Sequence, residues 1–199
     1  LPPFKAALEK WENKKIEIPD EATAQKLIEE IDTSPAVISD LKRSTHKLEP
    51  LPPFITSTLQ QEASKILGFS SEKTMKIAQE LYEGVDLKGE RTGLITYMRT
   101  DSVSLSDTAM DDIKNAINKN FGPEYVQVRK YKNKNESAQE AHEAIRPTYM
   151  ENNLVNDPET GRLYDLIWKR TIASQMSDAE LEKTIAKINI STNKEELSA

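Results

Sequence analysis

Cysteine is absent from all 199 residues and histidine occurs only twice. The first absence excludes a disulfide framework and any cysteine-based zinc site, and the second leaves too few ligands for a protein-only transition-metal centre. A chain without cysteine fits a reducing, cytoplasmic compartment. No window is long and uncharged enough to cross a bilayer, so no membrane partner is expected. A basic excess is missing too: 27 Lys and Arg stand against 33 Asp and Glu, a formal net charge of −6. A surface that gripped nucleic acid all over would need the opposite balance, which leaves room only for a localised phosphate-binding groove. The opening residues LPPFKAALEK lack an initiator methionine and the basic and apolar regions of a signal peptide. The chain is expected to be a piece of a longer one.

What is present reads as an α+β fold, mainly helical. An extended piece runs to Pro19, Asp20 caps a helix that Pro35 closes, and a second extended piece, Ala36 to Glu49, is polar at alternate positions. Pro50, Pro52 and Pro53 force extended backbone and mark a boundary. Ser57 and Gln60 then have capping-box spacing before a helix with Leu59, Ala63, Ile66 and Leu67 on one stripe and Gly68 as its stop. A second helix carries Met75, Ala78, Leu81 and Tyr82 on its apolar stripe. A third starts at Ser106, buries Ala109, Ile113, Ala116 and Ile117, and stops at Gly122. Ser137 and Glu140 repeat the capping-box spacing before a short turn limited by Pro147. A long helix follows with Asp157 as cap and Pro158 at its first position, burying Leu163, Leu166, Ile167, Ile172 and Met176. The tail around Thr184 to Ser191 alternates as a half-exposed strand, whose natural partners are the extended pieces before Pro50. The expected arrangement is a β-containing domain, residues 1–53 and 180–199, with a helical domain, residues 54–179, inserted into it.

The stretch GLITYMRTDSVSLS, from Gly93 to Ser106, brings an apolar run to a tyrosine among hydroxyls, an arginine and an aspartate. A phenol titrates near 10, so a tyrosine nucleophile needs a base or a cation that favours the phenolate. Residues two apart on a strand share a face, so a strand through this stretch would let Tyr97 and Arg99 meet one substrate. Arginine's planar fork suits phosphate, and Thr96, Thr100 and Ser102 add short donors. The chemistry inferred is a tyrosine attacking phosphorus while Arg99 stabilises the phosphoryl oxygens. The structural alternative is a ring packed at a strand end with its hydroxyl in water. HEAIRPT, His142 to Thr148, opens like the zinc helix H-E-x-x-H, but Arg146 stands where the second histidine would be. Without that zinc pair, His142 and Arg146, one helical turn apart, can offer donors to phosphates. Basic residues also cluster at Lys42, Arg43 and Lys47, at Arg129, Lys130, Lys132 and Lys134, and at Arg162, Lys169 and Arg170, each readable as a solvated face.

Three segments in order, PPFITSTLQQEASKILGFSSEKTMKIAQELYEG, GLITYMRTDSVSLS and SAQEAHEAIRPT, resemble the type IA DNA topoisomerases, and TYMRTDS with HEAIRPT resembles their bacterial topoisomerase I branch. The resemblance implies that Tyr97 is the nucleophile, linked to a 5′ phosphate of single-stranded DNA with release of a 3′ hydroxyl. It implies that Arg99 contacts the scissile phosphate and that His142 lies in the DNA-binding cleft. Thr96, Asp101 and Arg146 fall in the same motifs as DNA-contacting candidates. The partner implied is the single-stranded segment of negatively supercoiled duplex, in the bacterial nucleoid, relaxed without ATP. The family's acidic D-x-D-x-E triad is not found here. The resemblance therefore assigns Mg2+ to a Toprim domain among the remaining domains of the same polypeptide, and no metal or cofactor to these residues. The β-containing domain would be the hinge of a toroid, and this chain alone would not cleave DNA.

Tyrosine recombinases combine the same residue types, but their H-x-x-R precedes the tyrosine, whereas the histidine here follows it and reads H-x-x-x-R. The alternative in another class is a non-catalytic helical DNA-binding or protein-interaction module, which accounts for the caps and stripes and leaves Tyr97 without a role.

Overall fold

The computed structural model describes residues 5–11, 14–87, 90–132, 142–151, 158–190 and 195–198. Its contacts divide the chain into two units, Leu1–Leu48 with Glu180–Ala199, and Glu49–Ala179.

The first unit is a five-stranded sheet with a helix. Strands β1 (Ala7–Trp11), β2 (Lys14–Lys15) and β3 (Ala36–Leu48), with β6 (Ala179–Ile190) and β7 (Glu195–Ser198) from the far end of the chain, take the order β2-β1-β7-β6-β3. β1 pairs antiparallel with β2 and β7, and β6 pairs antiparallel with β7. The tail strand thus finds β3 on one side, as its alternation requires, and Ser39 Oγ donates to Asn189 Oδ1 at 3.1 Å. Helix α1 (Glu21–Thr33) starts where expected: the Asp20 carboxylate accepts the Thr23 N–H at 2.7 Å, a bond that holds its pKa below the ordinary value. Leu27 is the buried residue of this helix.

The second unit is helical. It contains α2 (Thr56–Glu62), continued by a π-helical turn over Ala63–Leu67, then α3 (Ser71–Glu83) and a hairpin of β4 (Val85–Leu87) and β5 (Glu90–Thr92). Helices α4 (Asp107–Asn120) and α5 (Pro158–Ser174) follow. Serine caps start α3 and α4: Ser70 Oγ accepts from Lys73 N–H at 3.1 Å and Ser106 Oγ from Ala109 N–H at 3.3 Å. Ser57 and Gln60 do not cap α2. Its N-cap is Ile55, whose N–H donates to Thr58 Oγ1 at 3.0 Å, because the helix begins two residues earlier than the spacing implied. Tyr82 leaves the apolar stripe of α3: Ile77, Ala78 and Leu81 are buried, and Tyr82 is exposed. Asp157, Ser137 and Glu140 lie outside the described residues.

One core gathers Phe54, Leu59, Leu81, Leu94, Met98 and Leu163, all fully buried, so α2, α3 and α5 pack on the segment that carries Tyr97. A second gathers Ile113, Ile117, Met150 and Ile172, and Trp168 packs against both. The π turn ends at Gly68, whose φ of 69° is left-handed, and a Cβ added there would meet nothing within 4 Å. Gly68→Ala therefore adds conformational strain and no clash, and should cost about 1 kcal/mol in urea unfolding. A loss several times larger would mean that a neighbour closes over the site.

Candidate active site

The run leading to Tyr97 does not form the expected sheet strand. It makes an isolated bridge, Ile95 opposite Pro147, and then bends. A strand needs one neighbour over several residues, and here the neighbour changes. Leu94 and Thr96 bond the HEAIRPT segment: Thr148 N–H donates to Leu94 O at 2.8 Å and Thr96 N–H to Arg146 O at 3.0 Å. A few residues later the partner is Thr56, whose N–H donates to Thr100 O at 2.9 Å. The Thr56 hydroxyl donates to Met98 O at 2.8 Å and accepts the Thr100 N–H at 2.9 Å. The Thr96 hydroxyl works in the same way, donating to Ala144 O at 2.7 Å and accepting the Arg146 N–H at 3.0 Å. Two threonines therefore replace a ladder, satisfying backbone groups that would otherwise be buried unpaired.

The side-chain alternation of a strand survives without its ladder. Tyr97, Arg99 and Asp101 are exposed, while Met98 and Thr100 between them, and Ser102 after them, are buried. Met98, fully buried, pins the backbone between the two outward groups. Tyr97 is 45% exposed, and its ring meets Tyr82 edge-on, with centroids 5.3 Å apart and planes at 66°. Arg99, Thr100 and Asp101 line an open depression with Ile55, Thr56, Ser57 and Gln60 at the start of α2.

HEAIRPT is extended where it is described, with Ile145 bridging Phe54, so His142 and Arg146 are not one helical turn apart. His142 is exposed, but Arg146 is turned to the fold's own use. Its side chain is 16% exposed, and it pairs with Glu143 Oε2 at 2.7 Å and donates to Pro147 O at 2.9 Å. The Thr96 hydroxyl is likewise spent inside the fold. Glu143 also accepts the Ser106 N–H at 2.8 Å, joining HEAIRPT to the start of α4. Burial pushes the Glu143 carboxyl up, but the Ser106 and Arg146 hydrogen bonds together outweigh it and hold the pKa below its ordinary value.

The basic clusters are partly consumed by ion pairs. Arg129 pairs with Asp178, and Lys130 pairs with Asp107 at 3.2 Å. Lys169 pairs with Asp165 at 2.7 Å. Arg170 approaches Glu62 at 3.8 Å and lies over the Phe54 ring at 4.3 Å. Among the described residues no group of three or more His, Asp or Glu is placed to hold a metal ion. No helix of the described residues is long and apolar enough to cross a membrane. Sequence reasoning missed Thr56, Glu143 and Tyr82 as parts of this site. Thr56 and Glu143 sit inside the quoted motifs, but their partners lie 44 and 37 residues away.

The class follows from the chain as a whole: residues 3–199 match the family model described as DNA topoisomerase, and the chain belongs to that family. Its relatives are bacterial. DNA topoisomerase 1 of Rickettsia bellii is 48% identical over 191 residues, covering 92% of this chain and 24% of that protein. DNA topoisomerase 1 of Helicobacter pylori strain 26695 is 48% identical over 173 residues, covering 83% of this chain and 24% of that protein. Full-length topoisomerase I from Thermotoga maritima has the same fold at a TM-score of 0.78 and 38% identity, over 98% of this chain and 31% of that one. The chain thus spans about a quarter of the length of the curated relatives it matches.

Thr96→Val keeps the shape and removes the hydroxyl that joins Ala144 O to Arg146 N–H, so unfolding free energy should fall by about 1–3 kcal/mol. Chemical denaturation with intrinsic fluorescence measures it. Glu143 makes a pH-dependent contribution. With a folded-state pKa below the unfolded one, its contribution is complete above the unfolded value and is lost as pH falls through the folded value. Below about pH 5, the melting temperature of the wild type should therefore drop more steeply than that of Glu143→Gln. Parallel acid limbs would show that the carboxylate is not held as described.

Proposed function

We propose that this chain is the tyrosine-bearing part of a type IA DNA topoisomerase. In this reading, the enzyme cleaves one strand through Tyr97, passes a strand through the break and religates, relaxing negative supercoils without ATP. The observation that carries the reading is the outward alternation of Tyr97, Arg99 and Asp101 around the buried Met98 and Thr100, on a segment held from both sides. Membership of the DNA topoisomerase family supports it.

In the first step the Tyr97 phenolic oxygen attacks the phosphorus of a single-stranded phosphodiester. A bond forms from Tyr97 Oη to phosphorus as the phenol gives its proton to a base, the bond from phosphorus to the 3′ oxygen breaks, and the 3′ oxygen takes a proton from an acid and leaves as a hydroxyl, so one proton is lost and one gained. Arg99, exposed beside the nucleophile, offers paired N–H donors to the non-bridging oxygens as their charge grows. His142, exposed at the start of HEAIRPT, contacts the DNA backbone, and Asp101 lines the same depression as Arg99. Thr96 and Arg146 hold the segment in place. Religation is the reverse attack by the 3′ hydroxyl with Tyr97 as leaving group, so the phosphoester energy is kept in the covalent link and no nucleotide triphosphate is consumed.

The sheet unit, Leu1–Leu48 with Glu180–Ala199, acts as hinge for the tyrosine-bearing unit, Glu49–Ala179. The acid–base groups and Mg2+ are supplied by a Toprim domain elsewhere in the polypeptide, and the assembly works in the cytoplasm on the nucleoid. Because the catalytic groups are then divided between domains, this chain alone binds no complete transition state and does not cleave.

A polypeptide that also contains the Toprim domain, mixed with end-labelled single-stranded DNA, should yield a covalent adduct whose 5′ phosphate maps to Tyr97. Tyr97→Phe should abolish the adduct, and Arg99→Ala should slow its formation by about 10²-fold. Unchanged relaxation by Tyr97→Phe would leave the non-catalytic binding module as the remaining reading. An adduct formed by residues 1–199 alone would refute the division of the site.

A further inference from the structure

The Tyr97 ring is met by a residue the sequence assigns to the core. Tyr82 is 42% exposed at the last turn of α3, and its ring meets Tyr97 edge-on at 5.3 Å. Three features fix that meeting. Leu94 N–H donates to Leu81 O at 2.8 Å, tying the approach to Tyr97 to the residue before Tyr82. Gly93 lies so close to the same turn that a Cβ there would meet Tyr82 O at 2.7 Å. The β4–β5 hairpin closes between Gly84 and Gly93, with Val85 opposite Thr92, so the chain returns to the helix end it left.

We propose that Tyr82 is a positioning residue for the Tyr97 nucleophile, setting the phenol ring's orientation through the edge-to-face contact. The inference rests on the functional reading above. A half-exposed tyrosine on an irregular segment has freedom about its side-chain torsions. An attacking oxygen must reach a near-attack position, where a misplacement of about 1 Å costs up to about 10²-fold in rate. The edge-to-face arrangement puts the positive rim of one ring against the negative face of the other, and a pair of this kind favours one orientation by roughly 2- to 13-fold. The helix that carries Tyr82 is seated in the core by Ile77, Ala78 and Leu81, so the backbone under this ring is regular where that under Tyr97 is not. Its part is therefore to restrict, and it does not touch the reacting atoms.

The test uses the Toprim-containing polypeptide, with single-turnover adduct formation measured across oligonucleotide concentrations. Tyr82→Ala should lower the saturated rate by about tenfold and leave the half-saturating concentration unchanged, while Tyr82→Phe, which keeps the ring, should retain the wild-type rate. Fluorotyrosine at position 97 gives a readout independent of turnover: its 19F resonance should shift in Tyr82→Ala and stay in place in Tyr82→Phe. Weaker DNA binding at an unchanged saturated rate would overturn the proposal and make Tyr82 a platform for a stacked base. Equal rates in wild type and Tyr82→Ala would also overturn it while leaving Tyr97 as the nucleophile. A wild type that forms no adduct removes the functional reading, and this inference with it.

Discussion

Two threonine hydroxyls carry the site. A segment buried on one side must find partners for its backbone N–H and C=O groups, and Leu94 to Thr100 has no continuous neighbour to supply them. Thr96 bonds across to Ala144 and Arg146, and Thr56 bonds across to Met98 and Thr100. Each hydroxyl donates once and accepts once, so each links two backbone groups on another segment. Remove either and a buried amide or carbonyl loses its partner on the segment that presents Tyr97 or on the one that braces it. The cores of α2, α3 and α5 then act on a backbone whose path is already set, with Met98 and Leu94 as the groups they grip.

This stitching has an advantage over a regular strand. In a sheet, the residues beside a functional side chain are neighbours on the same ladder, and their spacing is fixed by it. Here the chain is held by different partners before and after Tyr97, so Tyr97, Arg99 and Asp101 stand out from a surface that no adjacent strand covers among the described residues. Glu143 extends the same logic to the far side: one carboxylate joins the Ser106 amide and the Arg146 guanidinium, connecting the start of α4 to HEAIRPT. Three sequence-distant pieces thereby share one framework, and an arginine with the chemistry to hold phosphate is part of that framework.

Much of the helical unit was legible because its signals are local. Ser70 and Ser106 cap the helices they precede, as Asp20 does in the sheet unit. Of the apolar stripes in α4 and α5, Ala109, Ile113, Ile117, Leu163, Ile167 and Ile172 are buried, while Ala116 and Leu166 are half-buried and Met176 falls beyond the helix end. The tail strand announced itself by alternation and found its partner before Pro50. What was not legible depends on distant contacts. The sequence Leu94-Ile95-Thr96-Tyr97 has strand propensity, but propensity does not reveal that the hydrogen-bonding partner switches after Thr96. Tyr82 fits a helical stripe by count, yet falls at the helix end where the surface opens. Arg146 has the chemistry of a phosphate ligand, and only the position of Glu143 in space shows where its donors go.

The hairpin between Gly84 and Gly93 leaves the end of α3 and comes back to it, with the return fastened by the Leu94 to Leu81 hydrogen bond. Topologically its far end is a side branch: the two ends are tied together at Leu81 and Leu94 before the chain reaches Tyr97. Such a branch is where a protein can accumulate insertions and deletions neutrally, and where an epitope or fluorophore can be spliced in a few residues from the nucleophile without altering the path of the backbone that presents it.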